Sequence, residues 1–141
     1  MKQITIRSIR QPVKENLDAD IKWFCESFGL LSERDKNRTS LKIFKTLIKG
    51  SRNGRNVSID EISREAEVSR TAVMHHLKVM RSAGLVVKED NSFELRMRSM
   101  QKLVDEIGLD IERILRSIRE IAEDIDRRMN LPVRRRIDDD I

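Results

Sequence analysis

Residues 69–86 read SRTAVMHHLKVMRSAGLV. Val73, Leu77 and Met80 recur at helical spacing, so a helix over 70–82 has one continuous apolar face. Ser69 stands at the position of an N-cap, where its hydroxyl can accept a hydrogen bond from the first turn. Ala83-Gly84 closes the run. The opposite face carries Arg70, Thr71, Met74, His75 and Lys78.

Immediately upstream, VSIDEISREAEV places Ile59, Ile62 and Ala66 on one side of a shorter helix, with Ser58 or Asp60 as its cap. Val68 and Ser69 then form a tight turn into the next helix. Downstream, LVVKEDNSFELR passes from an apolar run through Asp90-Asn91-Ser92 to Phe93 and Leu95, the pattern of a β-hairpin. Two helices, a turn and a hairpin predict a helix-turn-helix with a two-stranded wing.

Further out, TSLKIFKTLIKG aligns Leu41, Phe44, Leu47 and Ile48 on one helix face, sets Lys42, Lys45 and Lys49 on others, and ends at Gly50. From 34 to 56 the chain carries Arg34, Lys36, Arg38, Lys42, Lys45, Lys49, Arg52 and Arg55 against Asp35 alone. Before it, DADIKWFCESFGLL gives a stripe of Ile21, Phe24, Cys25, Phe28 and Leu31, with Asp18 and Asp20 in the first turn and Gly29 near the end. Residues 1–16 form a basic arm in which Ile4 and Ile6, beside Lys2 and Arg7, suit either a short edge strand or a flexible segment.

Beyond the hairpin, Met100, Val104, Ile107, Ile111, Ile114, Ile118, Ile121 and Ile125 alternate in steps of four and three. The helix they predict would run on the order of 50 Å, longer than one small domain can cover, so part of it is expected to meet another chain. Isoleucine at both seam positions favours more than two strands in a parallel coil. Leu115, Ala122 and Met129 also widen the stripe. A bundle of C-terminal helices from two subunits, flanked by the helix around Ile21 to Leu31, fits better than a simple zipper. Pro132 stops the helix and leaves LPVRRRIDDDI as a charged, solvated tail. The organisation is thus an arm (1–16), a winged domain with an N-terminal helix (17–96), a dimerisation helix (97–130) and a tail (131–141), in a mainly α fold.

Composition narrows the functions. A formal net charge of +5 suits a polyanionic partner. A single cysteine, Cys25 on the apolar stripe, excludes an intrachain disulfide and agrees with a reducing cytoplasm. No apolar run is long enough to span a bilayer, and MKQITIRSIRQP lacks the apolar centre of a signal peptide, so no membrane partner is expected. The carboxylates lie on helix exteriors beside Lys and Arg, and no nucleophile, base and orienting group can be named together, so no enzyme is expected. Gly50-Ser-Arg-Asn-Gly54 lacks the Lys-Ser/Thr ending of a phosphate loop.

A helix packed through one face and presenting cations and hydrogen-bonding groups on the other suits the DNA major groove. Arg70 offers a bidentate fork to guanine, Thr71 and His75 meet base edges or phosphate, and Lys78 suits phosphate. His75 and His76, the only histidines, point about 100° apart on a helix and lack the i, i+4 spacing of a helical zinc pair. His75 is expected to face DNA and His76 to pack partly beside Leu77.

The run from Ser69 to Val86 resembles the recognition helix and following strand of the ArsR-type winged helix-turn-helix repressors, in its Ser-led turn, Val, His-His-Leu-Lys step and Ala-Gly-Leu-Val exit. The resemblance covers about Leu41 to Arg96. It implies a homodimeric regulator of double-stranded DNA, with Arg70, Thr71, Met74, His75 and Lys78 as helix contacts and the wing from Lys88 to Arg96 adding backbone contacts. Many such proteins sense metal through a Cys-rich motif on the preceding helix or through Asp and His on the last one. SIDEISREA holds no Cys and the C-terminal helix no His, so no metal site and no cofactor is expected. Lys42, Lys45, Lys49 and Arg52 are expected to add phosphate contacts, and Met100 to Ile125 to form the dimer seam. Any small-molecule effector is unknown. The alternative is a winged-helix interaction module whose Ile-rich helix pairs with a different protein in a larger assembly.

Overall fold

The computed structural model describes residues 2–13, 16–31, 35 and 38–132. Arg34 and Lys36 of the basic cluster, and Arg134 to Arg136 and Asp138 to Asp140 of the tail, lie outside the described residues. The chain divides into a first unit, residues 1–107, and a second, residues 108–141.

In the first unit, α1 (Leu17–Ser27) is followed by α2 (Thr39–Arg52), β1 (Val57–Ser58), α3 (Ile59–Ala66), α4 (Arg70–Ser82), β2 (Val86–Glu89) and β3 (Ser92–Leu95). α5 (Met100–Met129) begins here. The fold is mainly helical with a winged helix-turn-helix. Local chemistry sets its boundaries. Ser58 Oγ accepts from Glu61 N at 3.1 Å and Ser69 Oγ from Ala72 N at 3.1 Å, so each helix of the pair starts at a serine cap. The turn between them is made by Glu67 in the left-handed region, φ 56°, while Val68 N–H donates back to Ser63 O at 3.1 Å.

The wing has one strand more than the sequence pattern predicted. β3 pairs antiparallel with β2, Val86 opposite Leu95 and Glu89 opposite Ser92, and on its other edge with β1, Val57 opposite Phe93. The order is β1-β3-β2. A strand of two residues is too short to show alternation, which is why the hairpin pattern alone gave two strands. Asp90 turns the hairpin with φ 56°.

α2 is the core of this unit. Leu41, Ile43, Phe44, Leu47 and Thr46 are all buried, so the helix is enclosed on most of its circumference rather than on the single face first expected, and Ile48 is only half-buried. The arc bearing Lys42, Lys45, Lys49 and Arg52 faces solvent. Gly50 does not end this helix, which continues to Arg52. A Cβ there would lie 2.9 Å from Val57 Cγ2 and 3.1 Å from Arg55 O, so glycine is needed for the close approach of the strand. Phe24 of α1 stacks on Phe44, centroids 5.6 Å apart. Val73, Leu77 and Met80 of α4, Ile62 of α3, Leu85, Phe93 and Leu95 complete the core, together with Leu103 and Ile107 from the first turns of α5. Ile107, expected in the dimer seam, is thus core, and Leu103 beside it is as well. Cys25 is buried, and burial pushes its thiol up to about 12, with Glu26 adding to the effect and Lys45 opposing it.

The second unit holds the rest of α5. Ile114, Leu115, Ile118, Ile121, Ile125 and Met129 are exposed along it, and Ile111 is half-buried. Asn130, φ 56°, ends the helix, and Leu131 N–H donates to Asp126 O at 2.9 Å.

Candidate nucleic-acid interface

The outward side of α4 is built as its spacing predicts. Arg70, Thr71, Met74, His75 and Lys78 are all exposed, while Val73, Leu77 and Met80 are at most 1% exposed. Arg70 Nη1 lies 3.0 Å from Asp60 Oδ1 of α3, both groups well exposed. Such a pair is worth about 0–1 kcal/mol, so an anionic or base-edge partner can compete for the guanidinium. The positive fork at the start of α4 is steadied, not sequestered.

The two histidines diverge as their helical angle requires. Their rings meet edge to face at 5.3 Å, but His75 is exposed and His76 half-buried. His76 Nδ1 shares a 2.8 Å hydrogen bond with Ser40 Oγ at the start of α2. Below it, the Asp35 carboxylate accepts from Thr39 N at 2.9 Å and Ser40 N at 3.1 Å, closing the N-terminus of α2. Burial raises the Asp35 pKa, but these N–H groups and the His76 charge outweigh it, and the carboxyl is held below its ordinary value. His76 is also held below its ordinary value, by burial first and by His75, against the pull of Asp35. The imidazole thus joins α4 to the capped end of α2 at a position where burial disfavours its charged form.

A pH dependence follows. As pH falls through about 6.5, the unfolded chain takes a proton on His76 before the folded one does, so stability present above that pH is lost below it. Wild type should lose more unfolding free energy between pH 7.5 and 5.5 than His76→Gln, read from urea midpoints at the two pH values. Parallel losses in both proteins would refute the assignment.

The basic residues fall into separate groups. Lys42 and Lys45 line a hollow with Asn16, Asp18, Lys22 and Arg38, and Lys45 Nζ is 2.8 Å from Asp18 Oδ1. Lys49 and Arg52 are exposed farther along α2. Lys88 of the wing lies 5.9 Å from the centre of the Phe93 ring and lines a hollow with Lys78. Arg96 does not join them. It is 20% exposed, its Nη2 is 3.5 Å from Glu106 Oε2 and its Nη1 reaches Gly84 O at 3.5 Å, a tie inside the unit.

Two cations near Lys78 and Lys88 escaped the sequence reading. Arg81 is one turn beyond Lys78 on α4, so helical spacing could have found it. Lys2 reaches the same hollow only because Gln3 N–H donates to Ser82 O at 2.8 Å, and no local signal carries that contact. Among the described residues, no group of three His, Cys, Asp or Glu side chains is placed to hold a metal ion, and no helix is long and apolar enough to cross a membrane.

No curated protein and no solved structure matches the chain. Residues 39–88, from the first residue of α2 to the third of β2, match the family model described as bacterial regulatory protein, arsR family. The match spans α3, the turn at Glu67 and the whole of α4, the elements whose geometry is described above. Residues 39–88 are therefore an ArsR-family regulator domain, a DNA-binding winged helix-turn-helix of the kind that serves transcription regulation.

Proposed function

We propose that the protein is a homodimeric, sequence-specific regulator that binds an inverted repeat of double-stranded DNA, each subunit laying α4 in a major groove. The observation that carries this reading is the two-sided build of α4. Its apolar residues are sealed in the core while Arg70, Thr71, Met74, His75 and Lys78 stand in solvent on one side. Arg70, Thr71 and His75 read base edges; Lys78, Lys88, Lys49 and Arg52 hold phosphate and give a salt-dependent affinity common to all sequences. Lys42 and Lys45 add to the positive field from the α1 side of α2. The exposed isoleucines of α5 join the two subunits and so fix the half-site spacing. Regulation proceeds without a metal-sensing site.

Selection from a random duplex library, followed by anisotropy of the enriched sequence at two salt concentrations, tests this. The expected product is an inverted repeat with half-sites about one helical turn apart. Arg70→Ala should lower the preference at one base pair per half-site by ~1–3 kcal/mol, roughly 5- to 150-fold, with less effect on scrambled duplex. Identical selection profiles for wild type and Arg70→Ala would remove Arg70 from base reading. Enrichment of no sequence would reduce the basic face to phosphate tracking.

A further inference from the structure

The first turn of α3 carries two adjacent carboxylates, Asp60 and Glu61, and each meets one arginine. Neighbours on a helix point about 100° apart, so the two pairs lie on different sides. Glu61 is the inner one. Its side chain is 22% exposed, and Arg55 Nη1 donates to its Oε1 at 3.0 Å and lies 2.8 Å from its Oε2, which ties the loop before β1 to α3. Asp60 is the outer one. Its side chain is 68% exposed, and its Oδ1 lies 3.0 Å from Nη1 of Arg70, itself 65% exposed at the start of α4. Glu61 thus serves the fold, whereas Asp60 holds an arginine on the open side of the recognition helix.

An exposed ion pair adds little to stability, so the consequence of this one lies in what it does to the guanidinium. A long side chain loses rotamer freedom when it engages a base, and that loss weakens binding. Asp60 restricts Arg70 beforehand while taking only Nη1. A guanidinium has five N–H donors, so a parallel pair remains for O6 and N7 of guanine. A phosphate is treated differently. It would bring its negative charge beside the carboxylate, and the repulsion weakens capture of Arg70 by the DNA backbone. Specificity is a difference of two affinities, and Asp60 acts on both.

We propose that Asp60 is a positioning residue for base recognition: through Arg70 it sets the guanidinium toward a guanine edge and keeps it off the phosphates. The inference rests on the DNA-binding reading above and adds to it a determinant of selectivity that lies outside the recognition helix. Asp60 acts by way of Arg70, not by meeting a base itself.

The test compares full-length variants on the duplex enriched by wild type and on a scrambled one. Asp60→Ala should lower the preference at the base pair read by Arg70 by roughly two- to fivefold, the worth of an exposed pair, while binding of scrambled duplex at 0.1 M salt becomes tighter. Glu65→Ala removes the same charge from another exposed position of α3. It should tighten scrambled binding and leave the preference unchanged. Asp60→Glu should restore the preference. In an Arg70→Ala background, Asp60→Ala should change the preference no further. If Arg70→Ala relaxes the preference and Asp60→Ala does not, the role of Asp60 is overturned and the reading of α4 stands. An equal loss from Asp60→Ala with and without Arg70 overturns it too, because Asp60 would then act by another route. A wild type that prefers no sequence, or one whose profile Arg70→Ala leaves unchanged, overturns both the role of Asp60 and base reading by Arg70.

Discussion

Phe44→Ala should destabilise the first unit by about 3–5 kcal/mol, a fall in the urea midpoint on the order of 2 M. Phe44 is fully buried at the centre of α2, the helix that packs on α1, α3, α4 and β3 alike. Removing its ring deletes the stack on Phe24 and opens a cavity that the enclosed helix cannot close by rotating. A domain of this size has only ~5–15 kcal/mol to lose, so the variant should sit near the edge of folding at 37 °C. The exposed Val13, changed to alanine in parallel, should change the unfolding free energy by less than about 0.5 kcal/mol. A Phe44→Ala loss below about 1 kcal/mol would mean that the α1–α2 stack carries little of the core. Since α4 is positioned by the same core, the variant should also lose DNA binding as it unfolds, and the two losses should track one another with temperature.

The helix-turn-helix was legible because its signals are local. A serine cap, a stripe at i, i+4 and i+7, and a closing Ala-Gly lie within a few turns of each other, and none depends on what packs against them. The exposed face of α4, with Arg70, Thr71, Met74, His75 and Lys78, could be read by subtraction from that stripe. What failed to show depends on distant chain. A two-residue strand exists only because β3 offers its free edge to Val57, and Gly50 looked like a helix end because the approach of Val57 cannot be seen in the sequence around it. The steps of four and three along α5 continue through Ile107, yet that residue is core and its neighbour Leu103 with it. A periodic pattern records that a face is apolar, not which neighbour covers it. The basic cluster was misleading for a similar reason: eight cations close in sequence look like one patch, but the fold gives Lys45 to Asp18, while Arg96, read as part of the wing surface, goes to Glu106. In their place it brings Lys2 and Arg81, 79 residues apart in sequence, to one hollow.

The joint substitution Ile118→Asp and Ile121→Asp should convert a dimer into a monomer and reduce binding of an inverted repeat to that of a single half-site. Ile118 is 58% and Ile121 63% exposed in the single chain, and Ile114, Leu115, Ile125 and Met129 extend the same row. A row of large apolar side chains on one helix is a surface that water disfavours and a second copy can cover. Each isoleucine withdrawn from water contributes about 1.5–3 kcal/mol, and a symmetric dimer buries each position twice, so losing both positions removes more than ~4 kcal/mol, over a thousandfold in Kd. The buried aspartates would add a desolvation cost on top. Sedimentation equilibrium at micromolar concentration should give twice the 16.6 kDa chain mass for wild type and the chain mass itself for the variant. A wild type that sediments as a monomer would point instead to a different protein as the partner of α5, and a variant that stays dimeric would move the interface off this row. Both substituted positions are exposed, so the urea midpoint of the first unit should not change. Aspartates in place of exposed isoleucines should also make the monomer more soluble. Loss of the dimer with an unchanged midpoint and no precipitation therefore separates a lost interface from a lost fold.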